Sequence, residues 1–393
     1  MIATFKAQVW RPLRRYVTRA ALNTWGQVPA HGYWESVQTY QQHHPDQAEY
    51  QIIIPGHSET IQPPWTLPGV TLPPTFQQTE FQVPDAVCYR VNNGRVASQY
   101  GDVIAADGQL IYDNWEEPQR RPQEHTVCTS YFPQPKQLHQ TLGVIAGVKG
   151  GSNYYHFLVD VLPRLYLLKQ SQFWSEIQVC YVNRLSPRLR KLCPVLAAAG
   201  LTDKQVFWAD QHSHVQAQAV VATSLTGLPG MSYFKPRWVF EFLRATYLPQ
   251  AQLPAQPQPR IYISRSRAHF RRVINEPEVL EVLSRWGYQP VWLEDLSFPE
   301  QVGLFQQARR IIAPHGAGLA NLVWCSPGAK VLEFFSPTYQ PECYWVMARQ
   351  MGLDYGCLIG QAAMTHSDHR QHSIRIDSQA LAQALAWLES DGL

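Results

Sequence analysis

The sequence contains few charged residues. Asp, Glu, Lys and Arg together make up 16% of its 393 residues, and the formal net charge is only +3. Proteins whose main partner is a nucleic acid concentrate many more basic residues on one face. We therefore expect no nucleic-acid partner.

Long apolar segments are also missing. No run of about 18 apolar residues is present, so the sequence predicts no membrane-spanning helix. The basic N-terminus lacks the continuous apolar core of a signal peptide, which predicts a cytoplasmic protein. Contact with the inner face of a membrane is a second expectation, although a solvated helix face explains the same arginines better. These arginines are Arg11, Arg14, Arg15 and Arg19.

Patterns that bind metals are absent as well. The seven cysteines are scattered, with no Cys-x-x-Cys and no His/Cys pair at zinc spacing. Free thiols in a reducing compartment are the simplest interpretation. Three histidines share a polar loop, His366, His369 and His372, but only Asp368 accompanies them. We therefore predict neither a metal site nor a bound cofactor.

The N-terminal half combines an arm with a first domain. Residues 1–85 are rich in Pro and Gln, which predicts an irregular arm with one short helix near 11–24. Residues 86–247 then predict an α/β domain. It begins with a small β unit, because Asn93-Gly94 and Asp107-Gly108 are each flanked by strand-like runs typical of hairpins.

The C-terminal half predicts a second α/β domain. Residues 248–259 are a Pro/Gln linker and a plausible boundary. Residues 260–375 alternate strand and helix patterns, which favours a parallel, doubly wound sheet. Two capping boxes mark helix starts there, Asn275 with Glu278 and Ser297 with Glu300. Residues 376–393 predict a final amphipathic helix that packs back on the body.

A His–Asp pair begins the long helix predicted over 153–169, for which Ser152 is a good N-cap. His156 and Asp160 are four residues apart and therefore share a face. The pair could be a general base and the group that orients it, with either residue as the base. On spacing alone, a structural pair that closes a helix end is the better interpretation.

The stretch 309–333 predicts strand, glycine loop, helix and strand. His315-Gly316-Ala317-Gly318 lies between the first strand and the helix, where backbone N–H groups can approach an anion. Glu333, near the end of the next strand, would lie in the crevice beyond the strand ends and suit a ribose diol. The combination predicts a nucleotide diphosphate site, although the glycine loop without its flanking residues would favour a tight turn.

Four stretches resemble glycosyltransferase family 61. They are GGSNYYHFLVDVLPRL at 150–165, ISRSRAHFRRVINEPEV at 263–279, EDLSFPEQVGLFQQARRIIAPHGAGLANLVWCSPG at 294–328, and KVLEFF at 330–335. The family includes capsular polysaccharide biosynthesis proteins and xylosyl- and N-acetylglucosaminyl-transferases. The resemblance implies a GT-B fold, in which two Rossmann-like domains face each other across a cleft. It also implies an inverting, metal-independent transfer of a sugar, usually from a uridine diphosphate donor, to a glycan or polysaccharide.

The resemblance also implies roles for individual residues. His156 or Asp160 would be the catalytic base, and Asn153 and Arg164 would help to position substrate. The donor side would use Arg265, Arg271, Glu294, Asp295, His315, Gly316, Ala317, Gly318, Asn321 and Glu333. For Asn321, anchoring the loop is an equally good interpretation.

Two other functions stay open at this point. One is a non-catalytic relative that binds nucleotide or glycan. The other is a nucleotide-dependent oxidoreductase, which is disfavoured because neither domain begins with GxGxxG. The sequence does not decide whether the protein is an oligomer.

Overall fold

The computed structural model describes residues 26–114, 124–228, 233–363 and 367–390. The helix predicted near 11–24 and the arginines within it lie outside these residues. Among the described residues, no helix is both long enough and apolar enough to cross a membrane.

The strands, numbered in chain order, are β1 Gly32–Trp34, β2 Ala48–Ile54, β3 His57–Thr60, β4 Glu80–Val83, β5 Ala86–Asn92, β6 Arg95–Ala97, β7 Asp102–Ile104, β8 Gln109–Ile111, β9 Lys136–Val144, β10 Ile177–Asn183, β11 Gln205–Ala209, β12 His214–Thr223, β13 Arg260–Ile263, β14 Gln289–Val291, β15 Arg310–Pro314, β16 Lys330–Phe335, β17 Asp354–Ile359, β18 Gln361–Ala363 and β19 Ser373–Arg375.

The helices are α1 Val37–His43, α2 Thr126–Thr129, α3 (given in the next sentence), α4 Cys193–Ala198, α5 Arg237–Tyr247, α6 Glu276–Ser284, α7 Phe298–Gln307, α8 Cys343–Gln350 and α9 Ser378–Glu389. Helix α3 runs as Tyr154–His156, a π turn at Phe157–Val161, and Leu162–Gln170. Short 3₁₀ helices are Pro74–Phe76, Tyr112–Asn114, Trp174–Glu176, Arg190–Leu192, Leu248–Gln250, Leu293–Asp295, Ala317–Trp324 and His369–Gln371.

The chain forms two compact units. Unit 1 comprises Met1–Gly56 and Pro84–Ser232, and unit 2 comprises His57–Val83 and Tyr233–Leu393. The boundary between the units therefore falls at 232/233 and not in the predicted linker at 248–259. Helix α5 consequently belongs to unit 2, where Arg244 Nη1 donates to the carbonyl of Val323 at 2.6 Å.

The prediction of an irregular arm over 1–85 is wrong for its described part. Residues 32–54 contribute two strands and a helix to unit 1. Residues 57–83 instead belong to unit 2, where β3 and β4 pair with each other and the Trp65 ring stacks on Trp387 at 4.7 Å. The sequence does not show this exchange, because packing partners such as Trp387 lie far away in the chain.

Unit 1 is built on a ten-stranded mixed sheet. Its central strands run β12-β9-β10-β11, and all of these neighbours are parallel. The Asp107-Gly108 hairpin is confirmed, since β7 pairs with β8. The Asn93-Gly94 hairpin is wrong: β5 and β6 both pair with β12, and Asn93 adopts a left-handed φ of 52° between them. The two strands keep one register against β12, so the motif is an irregular link within a single strand edge.

Unit 2 is built on a five-stranded parallel sheet in the order β14-β13-β15-β16-β17. Leu332 and Phe334 of β16 pack on one face with α6 and α9. Strand side chains alternate, so Glu333 and Phe335 point to the opposite face. Helix α8 packs on that side against β17. The α/β prediction is confirmed, and the helices lie on both faces of the sheet.

Candidate functional site

The parallel strands of unit 1 have one topological switch point. The chain leaves β9 for β10 and β11 on one side, and returns with β12 on the other side of β9. In open α/β sheets, ligands bind at the carboxyl ends of the strands where the order reverses in this way. In unit 1 this is the region after Val144 and after Thr223, and α3 begins there.

His156 and Asp160 meet at this switch point. His156 Nδ1 lies 2.6 Å from Asp160 Oδ2, which fits a charge-assisted hydrogen bond. The His156 side chain is 12% exposed, whereas that of Asp160 is 1% exposed. Of the two, only the imidazole therefore offers its second nitrogen to a ligand, while the carboxylate is confined to the protein interior.

A π turn shapes this part of α3. Pro163 has no N–H to donate to the carbonyl of Val159, so a regular α-helix would leave that carbonyl without a partner. The helix widens instead, and Leu162 N–H bonds to the carbonyl of Phe157. The effect of Pro163 on the helix thus takes the form of a π turn that contains Asp160.

Thr226 completes the cluster, and the sequence analysis missed it. Its Oγ1 lies 3.1 Å from the carbonyl of Val159 and 3.2 Å from Asp160 Oδ1. The hydroxyl therefore serves the carbonyl that Pro163 cannot and also contacts the carboxylate behind His156. Finding Thr226 requires the order of β9 and β12, and no local sequence signal reveals that order.

The two residues predicted to position substrate have structural contacts. Asn153, and not Ser152 as predicted, is the N-cap of α3: its Oδ1 accepts from the N–H of Tyr155 at 2.9 Å. Arg164 is 1% exposed, and its Nη1 donates to the carbonyl of Ala146 at 2.5 Å. Arg164 therefore braces the loop after β9 from inside the unit and does not face a ligand.

Unit 2 has its own switch point. With β13 as the first strand, the strand order is 2-1-3-4-5, so the order reverses between β13 and β15. Arg265 follows β13, and His315-Gly316 follows β15. A Cβ atom at Gly316 would lie 2.0 Å from Arg265 Nη1. Glycine is therefore required for the guanidinium to lie directly against the loop.

Two arginines gather positive charge at this point. Arg265 Nη2 donates to the carbonyl of Phe270 at 3.1 Å, but the Nε atoms of Arg265 and Arg271 are buried without a hydrogen-bond partner in the described chain. Burial, together with the charge of Arg271, lowers the pKa of Arg265 to about 10. Arg271 has a left-handed φ of 55° and lies 5.7 Å from the centre of the Tyr339 ring. An anion bound here would relieve this unfavourable concentration of cations.

The helix after the glycine loop adds to the positive electrostatic potential of the two arginines. The 3₁₀ helix Ala317–Trp324 begins directly after Gly316, and Ala317 and Gly318 are partly exposed while the later residues are buried. The N–H groups of a first helical turn have no partner within the helix and attract anions. The predicted cluster of Arg265, Gly316, Ala317 and Gly318 is thus brought together.

His315 lies in a buried chain of hydrogen bonds. Its Nδ1 is 2.5 Å from Glu333 Oε1, and the hydroxyl of Tyr355 donates to Glu333 Oε2. Burial, followed by the charges of Arg271 and Arg265, lowers the pKa of His315 well below its usual range. Burial also raises the pKa of Glu333 well above its usual range, against the opposing effects of Tyr355 and Arg271.

These opposite shifts favour one protonation state. A neutral Glu333 donates its proton to Nδ1 of a neutral His315, which then carries its own proton on Nε2. In this state the imidazole is a hydrogen-bond donor on the side away from Glu333. The prediction that His315 can donate to phosphate is compatible with this geometry.

The expected position of Glu333 is wrong. Its side chain is 0% exposed, so it does not lie in an open crevice and cannot hold a ribose there. The cause is its position in the fourth strand of the sheet order, which is covered on both faces. Tyr355, on the neighbouring strand β17, is the residue that the sequence analysis missed, because strand register is a tertiary property.

The remaining predicted donor residues divide into anchored and exposed ones. Asn321 is fully buried and bonds to Gln301, the Gly318 carbonyl and Trp324, so it anchors the loop. Glu294 is exposed after β14. Asp295 pairs with both oxygens to Arg267 at 2.7 and 2.8 Å and borders a cavity of about 450 Å³ beside Trp292.

No cluster of three His, Cys, Asp or Glu side chains suited to a metal ion occurs within the described ranges. One histidine of the His-rich loop makes a hydrogen bond: His372 Nδ1 lies 3.2 Å from Thr338 Oγ1. His366 lies outside the described residues.

Comparison with known proteins finds one family whose matched range includes both switch-point clusters, the one at His156 and the one at His315. The family model of glycosyltransferase 61 matches residues 154–332, a range that contains both switch-point clusters from His156 to His315. Glu333 follows the last matched residue directly.

Three curated relatives are transferases. An EGF domain-specific O-linked N-acetylglucosamine transferase from Drosophila melanogaster is 35% identical over 106 residues, 26% of this chain and 20% of that protein. A beta-1,2-xylosyltransferase from Arabidopsis thaliana is 33% identical over 97 residues, 21% of this chain and 18% of that protein. A protein O-linked-mannose beta-1,4-N-acetylglucosaminyltransferase 2 from Canis lupus familiaris is 27% identical over 242 residues, 54% of this chain and 40% of that protein. The chain thus matches well under half the length of each of these relatives.

Proposed function

We propose that the chain, whose residues 154–332 match the glycosyltransferase 61 family, is an inverting glycosyltransferase that moves a sugar from a nucleotide diphosphate donor to a glycan acceptor. The observation that carries this proposal is the pair Arg265 and Arg271 at the switch point of unit 2. Two partly buried arginines, whose Nε atoms have no hydrogen-bond partner among the described residues, lie beside a glycine loop and a helix start and match the chemistry of a diphosphate.

The donor would be held by unit 2. Arg265 and Arg271 would neutralise the diphosphate, and the N–H groups of Ala317 and Gly318 would bind its oxygens. His315 would donate from Nε2. Because Glu333 shares a proton with Nδ1, this proton can move toward His315 as negative charge builds on the leaving group. Two arginines supply charge that a metal ion supplies in other transferases, which supports a metal-independent reaction.

The acceptor would be activated by unit 1. We assign the base to His156, because its imidazole is partly exposed, and the orienting role to Asp160, which binds Nδ1. The acceptor oxygen attacks the anomeric carbon, its proton passes to His156 Nε2, and the bond from that carbon to the diphosphate oxygen breaks. One such displacement inverts the anomeric configuration. A uridine nucleotide and the GT-B arrangement of the two units are parts of the same proposal.

Nucleotide binding tests the donor site directly. Thermal unfolding is measured with UDP, GDP, CMP, dTDP and NAD, each with EDTA and with Mn²⁺. A ligand at 100 times its Kd stabilises the folded state by about 2.7 kcal/mol. We expect UDP in EDTA to raise the transition temperature of wild type, and Arg265→Ala to abolish that shift.

Arg267→Ala is the matched control. Arg267 lies two residues away, is half exposed and is already paired with Asp295, so its loss should leave the UDP shift unchanged. If NAD alone raised the transition temperature, the protein would be an oxidoreductase and not a transferase. Binding of UDP without consumption of any UDP-sugar, with or without acceptor, would indicate a non-catalytic relative.

A further inference from the structure

A separate cavity of about 420 Å³ lies in unit 1, where β10 and β11 end. Asn183 and Ala209, the last residues of these two strands, belong to its lining. Four basic side chains also line it, and we call them the basic basin: Lys149, Arg184, Arg190 and His212. The cavity thus occupies the strand edge at which α/β sheets bind their ligands.

The basin carries surplus positive charge. Asp210 is the one carboxylate in its lining, against the full charges of Lys149, Arg184 and Arg190. Asp210 Oδ1 already accepts from the N–H of His212 and from Ser213 Oγ, each at 3.1 Å. Its contact with Arg184 Nη1 is loose, at 3.9 Å. The segment 184–191, RLSPRLRK, contains no acidic residue and has two further basic residues, Arg188 and Lys191, besides Arg184 and Arg190.

The loop 149–152 forms one wall of the basin and is packed tightly. A Cβ atom at Gly151 would lie 2.5 Å from the carbonyl oxygen of Arg184, and Ser186 N–H donates to the Gly151 carbonyl at 2.7 Å. Lys149 adopts a left-handed φ of 58°, which is uncommon for a residue with a Cβ. Its carbonyl accepts from the N–H groups of Ser152 and Asn153, both at 2.9 Å. The turn therefore fixes the direction in which the lysine leaves the backbone.

This wall leads directly into the helix of the proposed base. Ser152 lines the basin, and His156 follows four residues later in α3. Four residues of chain span at most about 14 Å, a distance that a short oligosaccharide can bridge. A group bound in the basin would therefore belong to the same acceptor molecule whose hydroxyl approaches His156.

We propose that the acceptor is an anionic glycan, and that a carboxylate or phosphate group on it binds in the basic basin. This inference rests on the proposed function. The planar guanidinium groups of Arg184 and Arg190 can each bind two oxygens of either group, and Lys149 adds a third charge. A uronic acid residue and a phosphodiester-linked sugar share the required chemistry.

Acceptor preference tests the proposal with the whole 393-residue chain. Sugar transfer is measured with an alkyl glucuronide, an alkyl glucosyl phosphate and the neutral alkyl glucoside. We expect kcat/KM for at least one anionic acceptor to exceed that for the glucoside by about tenfold, equivalent to about 1.4 kcal/mol. The preference should weaken at high salt. Comparison of the two anionic acceptors distinguishes the carboxylate from the phosphate source.

The double variant Arg184→Glu/Arg190→Glu should abolish this preference through a higher acceptor KM. Its UDP-induced thermal shift should equal that of wild type. Lys191→Glu is the matched control, because Lys191 is exposed in the same segment and does not line the cavity. Equal use of neutral and anionic acceptors, a preference that survives in the double variant, or equal loss in Lys191→Glu would overturn the basin while the proposed function stands.

A protein that neither binds nor consumes UDP-sugars refutes the proposed function instead. Isothermal titration with methyl glucuronide and with inorganic phosphate then tests whether the basic basin binds anions, independently of any transfer activity. Binding that the double variant loses supports an anion site in unit 1. Absence of binding, or binding that the double variant keeps, overturns it.

Discussion

At the scale of residues, the histidine–carboxylate pairs of the two switch points, His156 with Asp160 and His315 with Glu333, have different surroundings. His156 is partly exposed and backed by Asp160 and Thr226. His315 is buried beside two arginines that lower its pKa, and its partner Glu333 has a raised pKa. A base needs access to its substrate, whereas a donor near a diphosphate needs a retained proton. The two environments therefore suit opposite roles.

Loss of the proposed base should affect chemistry and spare donor binding. We expect His156→Asn to lower the rate of sugar transfer by about 10²–10⁴-fold, the usual contribution of general base catalysis. Asp160→Asn should lower the rate less and shift its pH profile, since it changes how Nδ1 is held. Rates are measured under single-turnover conditions, with the UDP thermal shift as the control. If His156→Asn transferred sugar at the wild-type rate, the catalytic base would be another residue.

The Glu333 carboxyl predicts a pH dependence of stability. Its pKa is raised in the folded state above the ordinary value of 4.5. The stability that the neutral group contributes is thus fully present below about pH 4.5 and is lost as pH rises toward the folded pKa. Glu333→Gln cannot ionise, so its free energy of unfolding should rise relative to wild type with increasing pH, by at most about 1.4 kcal/mol per pH unit.

Urea unfolding of both proteins between about pH 5 and about pH 8 measures how the difference in their free energies of unfolding changes with pH. A difference that stays constant with pH would show that Glu333 is ionised throughout. A difference that falls with pH would show that its pKa is lowered in the folded state.

At the scale of elements, α3 shows how a proline and a distant threonine cooperate. Pro163 leaves the carbonyl of Val159 without its helical donor, and Thr226, from the end of β12, approaches that carbonyl at 3.1 Å. The π turn between them contains Asp160. The helix therefore acquires its irregular shape from a residue 63 positions beyond Pro163, by the numbering of the two.

Thr226→Val should destabilise unit 1. The valine keeps the shape of the side chain but leaves the buried Val159 carbonyl and Asp160 Oδ1 without the hydroxyl. We expect a loss of about 1–3 kcal/mol in the free energy of unfolding, measured with denaturant. Thr246→Val is the control, because its hydroxyl only bonds the Phe242 carbonyl within α5. An equal, small loss in both variants would contradict this account of the π turn.

At the scale of the molecule, the chain crosses between its two units more than once. Residues 57–83 leave unit 1, pack on unit 2 and return. Phe76 is 2% exposed, and its ring lies 5.3 Å from Trp345 and 6.1 Å from Phe335. Phe335 in turn stacks on His315 at 5.6 Å. This segment therefore supports the proposed donor site from behind.

Phe76→Ala should destabilise unit 2. Removal of a buried Phe side chain costs about 3–5 kcal/mol. We expect a lower unfolding transition together with a weaker UDP shift, measured by calorimetry, because the residue behind His315 is lost. Leu253→Ala, at a position that is 57% exposed, should leave the transition unchanged. An unaltered transition in Phe76→Ala would show that the segment is dispensable.

Local signals in the sequence determined much of unit 2. The capping box of Ser297 and Glu300 begins α7 as predicted, and the apolar run before Pro314 is β15. The grouping of Arg265 with the Gly316 loop was implied by the resemblance to glycosyltransferase family 61, and the structure brings the two together. These features depend on residues close together in the chain, or on the rule that parallel strands end at one edge.

Tertiary structure alone decided the rest. The burial of Glu333 depends on its strand lying inside the sheet, and the path of the chain at Asn93-Gly94 depends on pairing with β12, more than a hundred residues later. The contact of Thr226 with α3 and the exchange of residues 57–83 into unit 2 have the same origin. Strand partners and packing partners are selected by the burial of the whole chain, and periodicity within a segment does not encode them.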